Sequence, residues 1–241
     1  MFIFSLAFST MDFARRLAGL NFPEGTAVLA EEQISGRGTK GRSWHSARGK
    51  GLYVSFLLRP ASSCLNLLPA VAGLAAAEAL EELSGVKVKL KWPNDLVHHG
   101  KKIGGILCEA GGSGRPSTWV VAGIGLNLNH RQADFPPEIS GLATSLYLIT
   151  GKSWNRDRLL ALLGSRLKVW YNSLEKGQTD SIIQSFERRL SFHRGQRLLL
   201  RTREGDLAGE FRGLDDRGGL KLRVGPETRI FHASEIVRVL S

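Results

Sequence analysis

Residues 33–59 read QISGRGTKGRSWHSARGKGLYVSFLLR. Gly36, Gly38 and Gly41 alternate with cations, Gly49 and Gly51 follow, and Arg37, Lys40, Arg42, Arg48 and Lys50 stand there without an acidic residue among them. Glycine lets a backbone take positive φ and turn its N–H groups inward, as a nest around an anion requires. The cations add full charges at the same place. The stretch therefore reads as a loop that holds an anion, phosphate above all. Gly36-Arg-Gly-Thr-Lys-Gly41 also satisfies the dinucleotide pattern G-x-G-x-x-G, but that fingerprint must open a helix. Here Leu52, Val54, Phe56 and Leu58 alternate at period 2, a strand, so the match is read as accidental. A solvated basic loop is the competing reading. Trp44, a large aromatic beside the loop, argues for a packed wall instead.

Upstream, residues 1–8 are apolar and read as an opening strand. Ser9 or Thr10 caps a helix that runs to about Gly19, and Ala27–Gln33 is a strand feeding the loop. Downstream, 67–83 is a helix apolar over most of its circumference, with Glu78, Glu81 and Glu82 on one face. Val86, Val88 and Leu90 alternate into a strand that enters Lys91-Trp-Pro-Asn-Asp95. Pro93 cannot donate to a sheet ladder, so the strand should stop there and expose Lys91, Asn94 and Asp95 at its end. Residues 102–109 and 119–129 read as strands interrupted by glycines, joined by a hairpin loop at 111–117. A helix follows Asn155 with Leu159, Leu163, Leu167, Trp170 and Leu174 as its apolar stripe. A second helix follows Asp180 with Ile183, Phe186 and Leu190 on its core face. After His193 the pattern changes to short strands separated by Glu204-Gly205 and Asp215-Asp-Arg-Gly-Gly219, a small all-β barrel of about fifty residues. The expected class is α+β, a mixed sheet flanked by helices over 1–192 and a barrel over 193–241.

The chain has 241 residues, 42% hydrophobic and 23% charged, ordinary for a soluble globular protein. Two cysteines, Cys64 and Cys108, are too few for a disulfide framework and point to a reducing, cytoplasmic setting. The apolar start lacks a basic n-region and is far shorter than the ~20 residues a membrane span needs. A net charge of +11 raises the question of nucleic acid. No helix-turn-helix-like segment precedes residue 9, and neither zinc-finger spacing nor an aromatic-rich RNA-binding strand is present, so a solvated basic surface is the reading. His98-His99 lacks a third ligand nearby, and no residue is assigned to a metal.

Three stretches, Gln33-x-x-Gly-Arg-Gly-x-x-Gly-Arg-x-Trp44, Lys91-Trp-Pro-Asn-Asp95 with Lys102-Ile-Gly-Gly-Ile-Leu, and Gly123-Ile-Gly-Leu-Asn127, resemble biotin–protein ligases in order and spacing. The resemblance runs from residue 9 to about 240. It implies a class II synthetase-like catalytic domain followed by an SH3-like barrel. It implies two steps: the biotin carboxylate attacks the α-phosphate of ATP, and a lysine of a biotin carboxyl carrier protein then displaces AMP. Mg²⁺ is expected with ATP. By resemblance, Lys91 contacts both the biotin carboxylate and the α-phosphate, and Lys91 and Arg37 are the catalytic residues. Ser9, Thr10, Met11 and Gln33 lie at the ureido end of biotin, and Arg37, Gly38 and Thr39 complete its site. Arg37, Thr39, Lys40 and Arg42 close over the adenylate, and Trp44, Asn94 and Asn127 line the nucleotide side. Met11 stands where the family commonly has Asn, and Thr39 where a second Arg is frequent. The sequence opens at the catalytic domain, without the winged helix of family members that repress transcription, so ligase activity without sequence-specific DNA binding is expected. A membrane partner is not. The chain is a monomer or a homodimer. A lipoate or octanoyl transferase on the same scaffold is the alternative.

Overall fold

The structure is a computed structural model that describes residues 1–61, 65–112, 119–202, 204–232 and 234–240. Along the chain come β1 (Phe2–Phe4), α1 (Thr10–Gly19), β2 (Ala27–Ala30), β3 (Gly51–Leu58), α2 (Leu68–Ser84), β4 (Lys89–Lys91), β5 (Asp95–His98), β6 (Lys101–Gly111) and β7 (Trp119–Asn127). There follow α3 (Pro137–Ser140), α4 (Leu146–Thr150), α5 (Arg156–Glu175), α6 (Thr179–Arg189), and then β8 (Arg197–Thr202), β9 (Gly205–Leu214), β10 (Leu220–Val224), β11 (Glu227–Phe231) and β12 (Glu235–Leu240). The expected α+β class holds. β1 to β7 form one seven-stranded sheet in the order β1-β2-β3-β7-β6-β5-β4, parallel only between β1 and β2.

The two faces of this sheet are covered unequally, and that asymmetry makes the site. Even-numbered residues of β3 and β7 (Leu52, Val54, Phe56; Val120, Ala122, Ile124, Leu126) join one apolar core with α2, α5 and α6. On the other face α1 packs Met11, Ala14, Leu17 and Ala18 against Val28, Leu57 and Val121. α1 is only ten residues long and packs on β2, β3 and β7, and among the described residues no comparable helix packs on the same face over β6, β5 and β4.

The covering helices are where the sequence places them. α2 is buried around nearly all of its circumference and ends at Gly85, whose φ of 73° lets its N–H reach the Glu81 carbonyl at 2.7 Å. α5 starts at Asn155, whose side chain accepts from Arg158 N at 2.8 Å. Its buried stripe is Leu159, Leu163, Leu167, Tyr171 and Leu174, with Tyr171 in the place expected for Trp170. Tyr171 continues the four-residue step from Leu167, while Trp170 turns aside and donates its indole N–H to Glu78 at 3.1 Å. On α6 the buried pair is Ile182 and Phe186, with Ile183 only partly covered.

Strand limits differ from expectation. The opening strand is three residues, after which only Ala7 bridges Gln33. The strand feeding the loop stops at Ala30. β4 begins at Lys89, because the amides before it are bound by α2 side chains: Val86 N–H to Ser84 Oγ at 3.2 Å and Val88 N–H to Glu81 Oε1 at 3.1 Å. The strand does stop at Trp92–Pro93, joined by a cis bond, yet Asp95 starts β5 at once and pairs back with Lys91. The motif is thus a hairpin turn and not a free strand end. The loop expected at 111–117 and Cys64 lie largely or wholly outside the described residues.

The C-terminal strands form an antiparallel five-stranded sheet, order β11-β10-β9-β8-β12, the barrel-like unit expected there. The expected boundary near 192 falls between α6 and β8. Its apolar side, Leu198, Leu200, Phe211, Leu220, Leu222 and Ile236, is continuous with the main core. Phe192 meets Phe211 edge-on at 5.0 Å, and the Trp92 indole N–H reaches the Gly218 carbonyl at 2.9 Å.

Candidate active site

Register places the floor of the site. Tyr53 (β3), Gly125 (β7), Gly105 (β6), Asp95 (β5) and Lys91 (β4) are cross-strand partners in one row. At strand spacing, five strands span about 19 Å. The next row holds Ser55, Gly123 and Leu107. At three of these eight positions a glycine leaves room for a side chain that lies on it. A Cβ on Gly125 would stand 2.5 Å from Trp44 Cε2, on Gly105 3.0 Å from Trp44 Cζ3, and on Gly123 2.4 Å from Met11 Sδ. Above this floor lies a cleft of about 350 Å³.

One end of the cleft is polar. Gln33 Oε1 accepts from the Thr10 backbone N–H (2.9 Å) and from Thr10 Oγ1 (3.1 Å), and Gln33 Nε2 donates to Ser46 Oγ at 2.9 Å. Ser55 Oγ donates to Thr10 Oγ1 at 2.8 Å. Ser9 is the helix N-cap residue but makes no side-chain cap hydrogen bond, and its Oγ is buried without a partner.

The basic loop folds as a small hairpin, not a plain nest. Gly38 N–H donates to Arg42 O at 2.7 Å, and Trp44 N–H to Gly36 O at 2.8 Å. Positive φ falls at Lys40 (58°) and Gly41 (72°), and the segment Thr39–Gly41 is a single 3₁₀ turn, so the dinucleotide reading is excluded. Arg37 Nη2 lies 3.0 Å from Asp12 and 3.2 Å from Glu109, while Arg15 ties the same two carboxylates together. Arg37 Nε is buried and has no partner among the described residues. Trp44 lies flat on the glycines, with Lys102 Nζ 5.4 Å from its ring and 2.6 Å from Asp95.

The stem of the loop is locked to the wall opposite. Tyr53 O–H donates to Ala47 O at 3.0 Å, so His130 Nε2, 3.1 Å away, must be the donor to Tyr53. His130 Nδ1 is then an unpartnered acceptor. Burial, with His45 nearby, pushes His130 down to about 4, and burial raises Tyr53 above the ordinary phenol range. His130 stacks on Phe135 at 4.9 Å, and His45 Nε2 lies 2.7 Å from Asp134 O. Burial pushes the Cys108 thiol up to about 12, far from a thiolate nucleophile.

Of the residues singled out from sequence, Thr10, Met11, Gln33, Arg37, Gly38, Thr39, Arg42, Trp44, Lys91, Asn94 and Asn127 line this one cleft. Ser9 does not. Lys40 does not either: at the loop tip it turns towards Glu235 of the C-terminal sheet (3.8 Å), which Arg42 also meets at 3.2 Å. Asn94 and Asn127 donate their amides to the carbonyls of Ile106 (2.8 Å) and Thr144 (3.0 Å), so each has a structural task at the cleft wall. Lys91 has no carboxylate within 4 Å among the described residues. Sequence reasoning left unassigned Asp95, Lys102 and the apolar wall of Phe135, Ile139, Leu142 and Ala143, which line the cleft, and Ser46, Ser55 and Glu109, which hold residues that do. Lys102 and Asp95 were within reach, as members of the quoted motifs. The wall lies in a stretch without a periodic pattern.

A half-open mixed sheet with a glycine floor, a cationic hairpin and a lysine at the turn of Lys91–Asp95 is the architecture of an acyl-activating protein ligase. The Biotin/lipoate A/B protein ligase family matches residues 5–127, and the chain belongs to this family. It is 34% identical over 234 residues to the bifunctional ligase/repressor BirA of Bacillus subtilis, covering 95% of this chain and 70% of that one. The biotin–[acetyl-CoA-carboxylase] ligase of Paracoccus denitrificans is 33% identical over 216 residues, covering 87% and 88%. Among solved structures, the biotin protein ligase from Aquifex aeolicus in complex with biotin and ATP superposes with a TM-score of 0.83 at 34% identity, over 97% of this chain and 95% of that chain.

Proposed function

We infer that this chain is an ATP-dependent, AMP-forming biotin–protein ligase. It activates biotin to biotinyl-5′-AMP and transfers biotin to a lysine of a biotin carboxyl carrier protein. The carrying observation is one cleft with a hydrogen-bonding pair, Thr10 and Gln33, and on the same floor an ammonium, Lys91, without a carboxylate partner among the described residues. A cyclic urea has the N–H and C=O groups to pair with Thr10 and Gln33. A dithiolane has neither, and binding it there would leave buried polar groups unpaired, at about 1–3 kcal/mol each. This favours biotin over lipoate.

In this reading Lys91 lies between the biotin carboxylate and the α-phosphate, lowering their mutual repulsion as the carboxylate oxygen attacks and pyrophosphate leaves. Arg37, held by Asp12 and Glu109, adds a preorganised charge. The loop bearing Gly38, Thr39, Lys40 and Arg42 closes over the adenylate and keeps water from the acyl phosphate. Trp44, Asn94 and Asn127 line the nucleotide side, and Ser9 and Met11 back the urea end. A carrier ε-amine then attacks the acyl carbon and AMP departs, with no covalent intermediate on the enzyme. No group of three or more His, Cys, Asp or Glu able to hold a metal stands among the described residues, so Mg²⁺ would be held chiefly by the triphosphate and water. No described helix is long and apolar enough to cross a membrane, and cysteine usage favours the cytoplasm.

Calorimetry of biotin, then of biotin with ATP and Mg²⁺, tests this on the wild type and Lys91→Ala. The expectation is biotin heat in both, with biotinyl-AMP formation about 10²–10³-fold slower in the variant than in the wild type. Heat with lipoate but none with biotin would overturn the assignment.

A further inference from the structure

Ser55 is a hydroxyl in the middle of β3, a strand buried along its whole length, and is itself 0% exposed. A chain of forced hydrogen-bond directions passes through it. The Thr10 backbone N–H can only donate, and it meets Gln33 Oε1, so the carboxamide oxygen faces Thr10. Thr10 Oγ1, beside the same oxygen, must then donate to it as well. With its single proton committed, Thr10 Oγ1 can only accept from Ser55 Oγ. At the far end, one Gln33 Nε2 proton goes to Ser46 Oγ, in a serine only 6% exposed.

Valence leaves two sites towards the cleft: one lone pair on Thr10 Oγ1 and one N–H on Gln33. An acceptor beside a donor is the complement of an N–H adjoining a carbonyl. By accepting from Ser55, the Thr10 hydroxyl becomes a stronger donor to Gln33 Oε1, which keeps its proton on Gln33 and its free lone pair for the ligand. Without Ser55 that bond is weaker, and because the Thr10 N–H still serves the oxygen, the proton can turn to the ligand at less cost. We propose that Ser55 is a positioning residue that locks Thr10 as an acceptor, and so selects a ligand head carrying N–H beside C=O. The inference rests on placing the urea of biotin at Thr10 and Gln33. The alternative is a core hydroxyl that merely satisfies itself on Thr10.

The test uses the full chain, with biotin Kd by calorimetry, KM for ATP and thermal midpoint for Ser55→Ala, Thr10→Val and the double variant. Ser55→Ala is expected to weaken biotin about 2- to 10-fold, the worth of one neutral hydrogen bond, with KM for ATP unchanged. In the Thr10→Val background it should cost nothing further, since its effect passes through that hydroxyl. Ser55→Cys, which keeps the size but offers a weak donor, should fall between the two and serves if the alanine variant misfolds. An equal biotin loss in both backgrounds, an equal loss for ATP, or no loss at all overturns the proposal. A Thr10→Val variant that binds biotin like the wild type shows instead that the urea lies elsewhere, and the proposal falls with that placement.

Discussion

Acidification should weaken the fold through His130, and the size of the effect follows from its surroundings. His130 is fully buried, donates from Nε2 to Tyr53, and has no partner at Nδ1 among the described residues. Protonation would put a charge in that position with Lys50 and His45 opposing it and only Asp134 favouring it. The folded ring therefore takes a proton near 4, against 6.5 in the unfolded chain. Above 6.5 both states are neutral and nothing is lost. Below 6.5 the unfolded chain gains a proton that the folded chain refuses, so stability falls, and the loss is complete once pH passes 4. At 1.36 kcal/mol per unit the full loss is about 3 kcal/mol, of which about 2 is gone by pH 5. Urea unfolding of the wild type and His130→Gln, followed by tryptophan fluorescence from pH 7.5 to 4, isolates this term, because other carboxylates and histidines cancel in the difference. The difference should be flat above 6.5 and move by about 3 kcal/mol in favour of Gln by pH 4. A difference independent of pH would refute the account of His130 as a buried, neutral ring.

Two further outcomes bear on the site. Gly125→Ala sets a Cβ 2.5 Å from Trp44, so the indole must leave the floor; a stability loss of about 1–3 kcal/mol and a raised KM for biotin and ATP are expected, and an unchanged melting point with unchanged KM values would show that Trp44 does not rest there. Thr39 lines the cleft within the cationic hairpin, so Thr39→Arg should slow biotinyl-AMP release about 10- to 100-fold, the worth of one charge-assisted hydrogen bond, as read by stopped-flow chase; equal off-rates would remove Thr39 from adenylate retention.

Much of this protein is legible along its sequence alone. The four-residue step of leucines from Leu159, the cap at Asn155, the period-2 run of β3, the proline that ends β4 and the glycine–cation alternation of 36–42 are local patterns. Each acts through the conformational limits of a few consecutive residues, so no partner elsewhere is needed to read them. The run from Lys91 to Asp95 is local too, and it joins the two other glycine-bearing stretches in the resemblance that named the family. Other features were decided only by tertiary contact. Lys40 has the same local character as Arg37, yet Glu235, almost two hundred residues away, draws it from the cleft. Trp170 and Tyr171 are neighbours of similar bulk, and only the structure shows that the indole N–H meets Glu78 and the phenol meets Glu24. Ser55 looks like any polar interruption of a strand until Thr10 and Gln33 are brought against it. Gly105, Gly123 and Gly125 announce close approach, but register alone shows that Trp44 and Met11 are what approach them. Periodicity says which face a residue takes; which residue it meets depends on how strands far apart in the chain are aligned, and that alignment is set by the whole core at once.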